Sequence, residues 1–149
     1  MTMSWDGWRF VTHGESDRPT DANRVYIPAK VLHRLELFRC FATQLQLPGY
    51  FGWNWDALDE CLRDLSWFAA KPILEIRHVD IPFRPGSHLR RSYLQLLRDL
   101  SEQTANTAVR ICPVFPVERQ AEIAAELVPC LTPPIVTDRL SRQELKPGP

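Results

Sequence analysis

Apolar and polar positions change period several times along this chain, and each change marks an element. Trp8-Arg9-Phe10-Val11-Thr12 alternates apolar and polar, which allows one short strand. His13 to Asn23 is polar, contains a proline and predicts a loop. Arg24-Val25-Tyr26-Ile27, stopped by Pro28, predicts a second strand. Between Val31 and Gln46 the period lengthens. Leu35, Phe38, Ala42 and Leu45 then share one helical face, and Pro48-Gly49 ends the helix. A further helix is expected from Trp55 to Ser66, because Leu58, Cys61, Leu62 and Leu65 repeat at helical spacing.

Beyond it, Ile73-Leu74-Glu75-Ile76 predicts a strand and His78 to Ser87 a loop. Arg90 to Gln103 predicts a helix on Leu94, Leu97 and Leu100, with Tyr93 and Leu96 alongside. Ala108 to Cys112 predicts a strand ended by Pro113. Val117 to Val128 has helix-forming composition, and the proline-rich stretch from Pro129 to Pro149 reads as an irregular tail. Strands alternating with helices favour an α/β fold with a parallel sheet, since each crossover must carry the chain back.

Composition narrows the field. The 149 residues suit a single domain, and 18 basic residues balance 18 acidic ones, which argues against a nonspecific polyanion binder. No apolar run reaches the roughly 18 residues of a membrane span, and the N-terminus lacks a secretory pattern; a cytosolic protein is expected. Cys40, Cys61, Cys112 and Cys130 form no CxxC pair, and the four histidines bring no ligand pair. Reduced, mostly buried thiols are therefore expected, with no metal and no cofactor.

One stretch departs from this even background. Leu47 to Trp67 reads LPGYFGWNWDALDECLRDLSW, with Tyr50, Phe51, Trp53 and Trp55 crowded ahead of four carboxylates. Asn54 suits the N-cap of the helix that follows. If Leu58, Cys61, Leu62 and Leu65 face the core, Asp56, Asp59, Glu60, Arg63 and Asp64 occupy the opposite arc. Asp59 and Arg63 suit an ordinary surface ion pair, worth a few tenths of a kcal/mol, and Asp56 suits the helix dipole. Glu60 and Asp64 lie toward the carboxyl end, where negative charge gains nothing from the dipole. From Asp56 to Asp64 four acids meet one base, a net charge of −3 in an otherwise compensating chain. Large aromatics beside unbalanced charge are the composition of a protein interface. Such carboxylates can take the places of phosphates in the cationic site of a nucleic-acid-processing enzyme.

A glycoside hydrolase is the competing reading, since paired carboxylates with tryptophans are also its tools. It needs a second carboxylate across a cleft from this helix. No nucleophile motif, phosphate-binding glycine loop or metal spacing supports catalysis elsewhere in the chain.

The run LPGYFGWNWDALDECLRDL closely resembles the signature of the barstar family, intracellular inhibitors of barnase-type ribonucleases, and the element order agrees from about Arg24 to Val114. The resemblance implies a three-stranded parallel sheet with helices mainly on one face, here with extensions at 1–23 and 115–149. It implies a protein that catalyses nothing and blocks a ribonuclease active site 1:1, touching neither nucleic acid nor membrane. By position, Tyr50 matches the loop tyrosine, Gly52 the glycine of close backbone approach, Asn54 the residue before the helix and Asp56 the first contacting aspartate. Glu60 stands where the family has its dominant phosphate-mimicking aspartate, and Asp59 where it has a tryptophan. Trp53 or Trp55 would supply the missing aromatic contact, and Asp99 matches a peripheral acid. An immunity or interaction module of the same fold, aimed at another toxin or a regulatory protein, is the alternative.

Overall fold

The computed structural model describes residues 5–12, 22–68 and 71–131, with side chains to Leu127. β1 (Arg9–Val11) and β2 (Ala22–Ile27) come first, then α1 (Arg34–Leu45) and α2 (Trp55–Asp64). They are followed by β3 (Ile73–His78), α3 (His88–Gln103), β4 (Arg110–Pro116), a single 3-10 turn (Val117–Arg119) and α4 (Gln120–Leu131). The strands form one parallel sheet in the order β1-β4-β3-β2. The α/β class and parallel sheet stand as read from the sequence, and β1 adds a fourth strand to the three expected from the resemblance. Trp8 explains why so short a strand holds. Its ring is buried and stacked on Phe115, and Nε1 donates to Ser101 Oγ on α3 at 3.1 Å.

Register divides the sheet into two faces. Val25 pairs with Ile76, Ile27 with His78 and Leu74 with Ile111, so these side chains share a side. The core cluster takes Val25, Ile27, Leu74, Ile76, Ile111 and Phe115 from that side and joins them to apolar residues of all four helices. The other side carries charge. Glu75 is buried there and accepts from Arg9 at 2.7 Å and from Arg24 and Arg77 at 3.0 Å. Those guanidiniums outweigh the burial penalty and hold the Glu75 carboxyl below its usual range.

Several expectations need correction. In α1 the buried face is Leu37, Phe38, Phe41 and Leu45, and Leu35 is 52% exposed. Two apolar stripes overlap on that helix, and the one with two phenylalanines buries more area. α1 begins at Arg34, three residues later than expected, where Glu36 Oε1 accepts the amides of His33 and Leu32. α2 stops at Asp64 because Leu65 adopts a left-handed C-cap whose amide donates to the Cys61 carbonyl.

β4 runs through Pro113 rather than ending before it. β1 joins β4 only from Val114 onward, so at Pro113 one flank is unladdered and a missing N–H is tolerated. β3 extends through His78, placing in the core a ring expected in a loop. β2 begins at Ala22, inside the expected polar loop, of which residues 13–21 lie outside the described residues. α4 continues to Leu131, three residues into the stretch read as tail; 132–149 lie outside the described residues.

Candidate protein-binding face

The loop before α2 is built to set the angle of that helix. Asn54 is extended, its Oδ1 accepts the Ala57 amide at 2.8 Å, and its Nδ2 donates to the Gly52 carbonyl at 3.2 Å. Both ends of the side chain thus serve the turn, making Asn54 the cap expected and placing it in support of the surface. A Cβ on Gly52 would lie 3.2 Å from Asn54 Nδ2, so glycine keeps that bond undistorted. Trp53 is left-handed at φ +55°, a conformation costing a bulky residue about 1–3 kcal/mol. Its ring leans on Phe51 at 5.2 Å and remains 44% exposed. Tyr50 is 76% exposed, whereas Phe51 is buried edge-on to Phe38.

Trp55 does two jobs. Its ring packs edge-on to Phe38 at 5.0 Å and to Phe83 at 6.3 Å, and lies 6.2 Å from Tyr93. It is half-buried and anchors the start of α2 to the core while flooring a surface groove. Leu58, Cys61, Leu62 and Leu65 are buried as the periodicity required, so the carboxylates stand on the outer arc.

The outer arc separates two grooves. One, of about 310 Å³, is lined by Trp55, Asp56, Asp59, Arg63, Ser92, Gln95, Leu96 and Asp99. It brings Asp99 of α3 together with two acids of α2. The other, of about 290 Å³, lies between Tyr50, Phe51, Ala57, Glu60, Cys61 and Asp64. Glu60 and Asp64, four residues apart, therefore face the tyrosine side. Burial, and after it the charges of Asp64 and Glu60, push the Cys61 thiol upward.

Pairing sorts the acids further. Asp59 is held bidentately by Arg63, at 2.8 and 3.2 Å. Among the described residues, Asp99 has only a long contact of 3.8 Å with Arg98. Among the described residues, Asp56 and Glu60 make no ion pair. Asp64 joins Glu60 in that groove although it is not among the contact residues the sequence suggests; its i,i+4 spacing from Glu60 is the signal that marks it. Phe83 carried none, because it arrives from a distant loop. Asp99 does face Asp56 and Asp59 across a groove, as a hydrolase would require. An acid catalyst, however, needs an apolar, desolvated seat, and the side chains of Asp59 and Asp99 are 25% and 43% exposed.

A small parallel α/β protein that presents an acidic helix and an aromatic loop on one side belongs to a narrow class. Residues 25–115 match the family model for Barstar (barnase inhibitor). The chain belongs to the barstar family. No curated protein matches it. The matched span begins within β2 and ends within β4, so β1 and α4 lie outside it. No group of three or more histidine, cysteine or acidic residues able to hold a metal ion occurs among the described residues, and none of their helices is long and apolar enough to cross a membrane.

Proposed function

We propose that this protein inhibits a barnase-type ribonuclease by seating α2 and the 50–54 loop in its basic active site, in a 1:1 complex that excludes RNA. The observation carrying this reading is the α2 ridge. Among the described residues Asp56 and Glu60 make no ion pair on this helix, with Tyr50 and Trp53 exposed beside them and a groove on each flank. Such carboxylates substitute for phosphates, and their field also accelerates encounter with a cationic cleft. Catalysis and cofactors have no part in this action. Family membership supports an inhibitor over a hydrolase, and free thiols at Cys40, Cys61 and Cys112 are consistent with a cytosolic setting.

One pairing favours a second partner class. Asp59, at a position where the family resemblance implies tryptophan, is engaged with Arg63. An aromatic contact is thereby replaced by a closed ion pair, which suits a toxin with a differently shaped rim. Co-expression with a small ribonuclease, scored by rescue of growth and by isolation of the complex, tests the main reading. Asp56→Ala combined with Glu60→Ala is expected to weaken that complex by several kcal/mol, as truncation of buried charged anchors does. Unchanged affinity would remove this face as the interface.

A further inference from the structure

The first turn of α3 carries a buried cation, Arg90, whose side chain is only 6% exposed. Its Nε donates to the Pro82 carbonyl at 3.1 Å, and Nη2 to those of Ile81 at 3.2 Å and Phe83 at 2.6 Å. Nη1 donates to Glu122 Oε2 of α4 at 2.6 Å, with Glu126 Oε2 at 3.7 Å. Three successive carbonyls and two carboxylates thus converge on one planar fork, a geometry lysine cannot copy. Glu126 also accepts the Gly86 amide at 2.8 Å, so α4 holds the far end of the same loop.

That loop bears directly on the acidic helix. Phe83 sits at its centre in the left-handed region, φ +69°, and its amide donates to the Val31 carbonyl at 2.7 Å. A bulky residue keeps such a conformation only where its neighbours over-determine it, and here Arg90 and Val31 do so. The Phe83 ring packs edge-on against Trp55, the first residue of α2. A continuous path therefore runs from the α4 carboxylates through Arg90 and Phe83 to the turn that bears Asp56.

We propose that α4 is a brace for the binding face, with Arg90, Glu122 and Glu126 as positioning residues, an inference that rests on reading that face as the partner surface. α4 lies outside the span matched by the family model, so the brace belongs to this chain's extension. Its benefit is preorganisation: a loose first turn of α2 would have to be ordered on binding, at the expense of affinity.

The full chain tests this with three variants: Glu122→Gln with Glu126→Gln, Arg90→Lys, and the control Ile123→Ala. Ile123 is buried in the core but is not one of the groups bonded to Arg90. Amide hydrogen exchange is followed at Phe83, Gly86, Ala57 and Leu58, and binding to a barnase-type ribonuclease is measured kinetically. The first two variants are expected to speed exchange at those four amides about tenfold relative to the centre of α3, and to weaken binding by about tenfold. Ile123→Ala is expected to raise exchange without that selectivity. Uniform changes in all three variants, or an unaltered first turn of α2, would overturn the brace. So would undiminished affinity in the brace variants when Glu60→Ala abolishes binding. If the unmodified chain fails to bind the ribonuclease, the functional reading falls, and the exchange pattern alone decides the brace.

Discussion

His78 should make this protein acid-sensitive well above the carboxylate range. Its ring is buried, stacked on Phe115 at 3.8 Å, with Nδ1 2.9 Å from the Val114 carbonyl and Nε2 2.6 Å from the Tyr93 hydroxyl. A neutral imidazole satisfies both partners: Nδ1–H donates to Val114, and Nε2 accepts from Tyr93. Burial depresses its pKa from 6.5 to about 3, against the smaller opposing effect of hydrogen bonds to backbone carbonyls. Between those values the unfolded chain binds the proton and the folded chain does not. The contribution is thus complete above the unfolded pKa and is lost as pH falls through the window from 6.5 to about 3.

Each pH unit inside that window is worth about 1.4 kcal/mol, so lowering pH from 7.5 to 5.0 should cost on the order of 2 kcal/mol. Stopping at about pH 5 avoids Glu75, whose depressed pKa contributes only at lower pH. Urea unfolding at the two pH values gives the difference directly. The double variant His78→Phe with Tyr93→Phe removes donor and acceptor together and should flatten the dependence. An equal loss in the double variant, or no loss in the unmodified protein, would refute the assignment to His78.

Other perturbations follow from the same geometry. Asn54→Ala removes the α2 cap and is expected to cost about 1 kcal/mol in unfolding free energy, read by urea denaturation. Gly52→Ala crowds Asn54 Nδ2 and should lower partner affinity more than thermal stability, as calorimetry on the complex and on the free chain would show. Arg63→Ala releases Asp59, with an expected stability change of a few tenths of a kcal/mol and a change in partner on-rate that salt suppresses. Gln44→Ala exposes the edge of β2, because the Gln44 amide both accepts the Tyr26 N–H and donates to the Tyr26 carbonyl at 2.8 Å. Concentration-dependent self-association in sedimentation is the expected result.

The acidic helix was legible in the sequence because everything that defines it is local. A cap three residues ahead of the amide that donates to it, a stripe at 3.6-residue period and a net charge within nine positions need no knowledge of the rest of the fold. The failures share the opposite property. Whether Pro113 could continue β4 depended on where β1 begins to pair with it. Whether Leu35 or Leu37 faced inward depended on what α1 meets, and His78 became a core residue only because Tyr93 and Val114 satisfy its two nitrogens. The same distinction explains the candidate site. Tyr50, Asp56 and Glu60 could be read from their own stretch, but the groove uniting Asp99 with Asp56 exists only once α3 packs beside α2. Local rules are broken most visibly around that junction, where Trp53 and Phe83 are both left-handed and both sit beside the aromatic cluster at the start of α2. Strain persists where surrounding contacts over-determine it, and it persists here on either side of the turn that carries Asp56. The placement of the acidic ridge is therefore a property of the assembled fold, imposed on a helix whose charge pattern the sequence alone already displays.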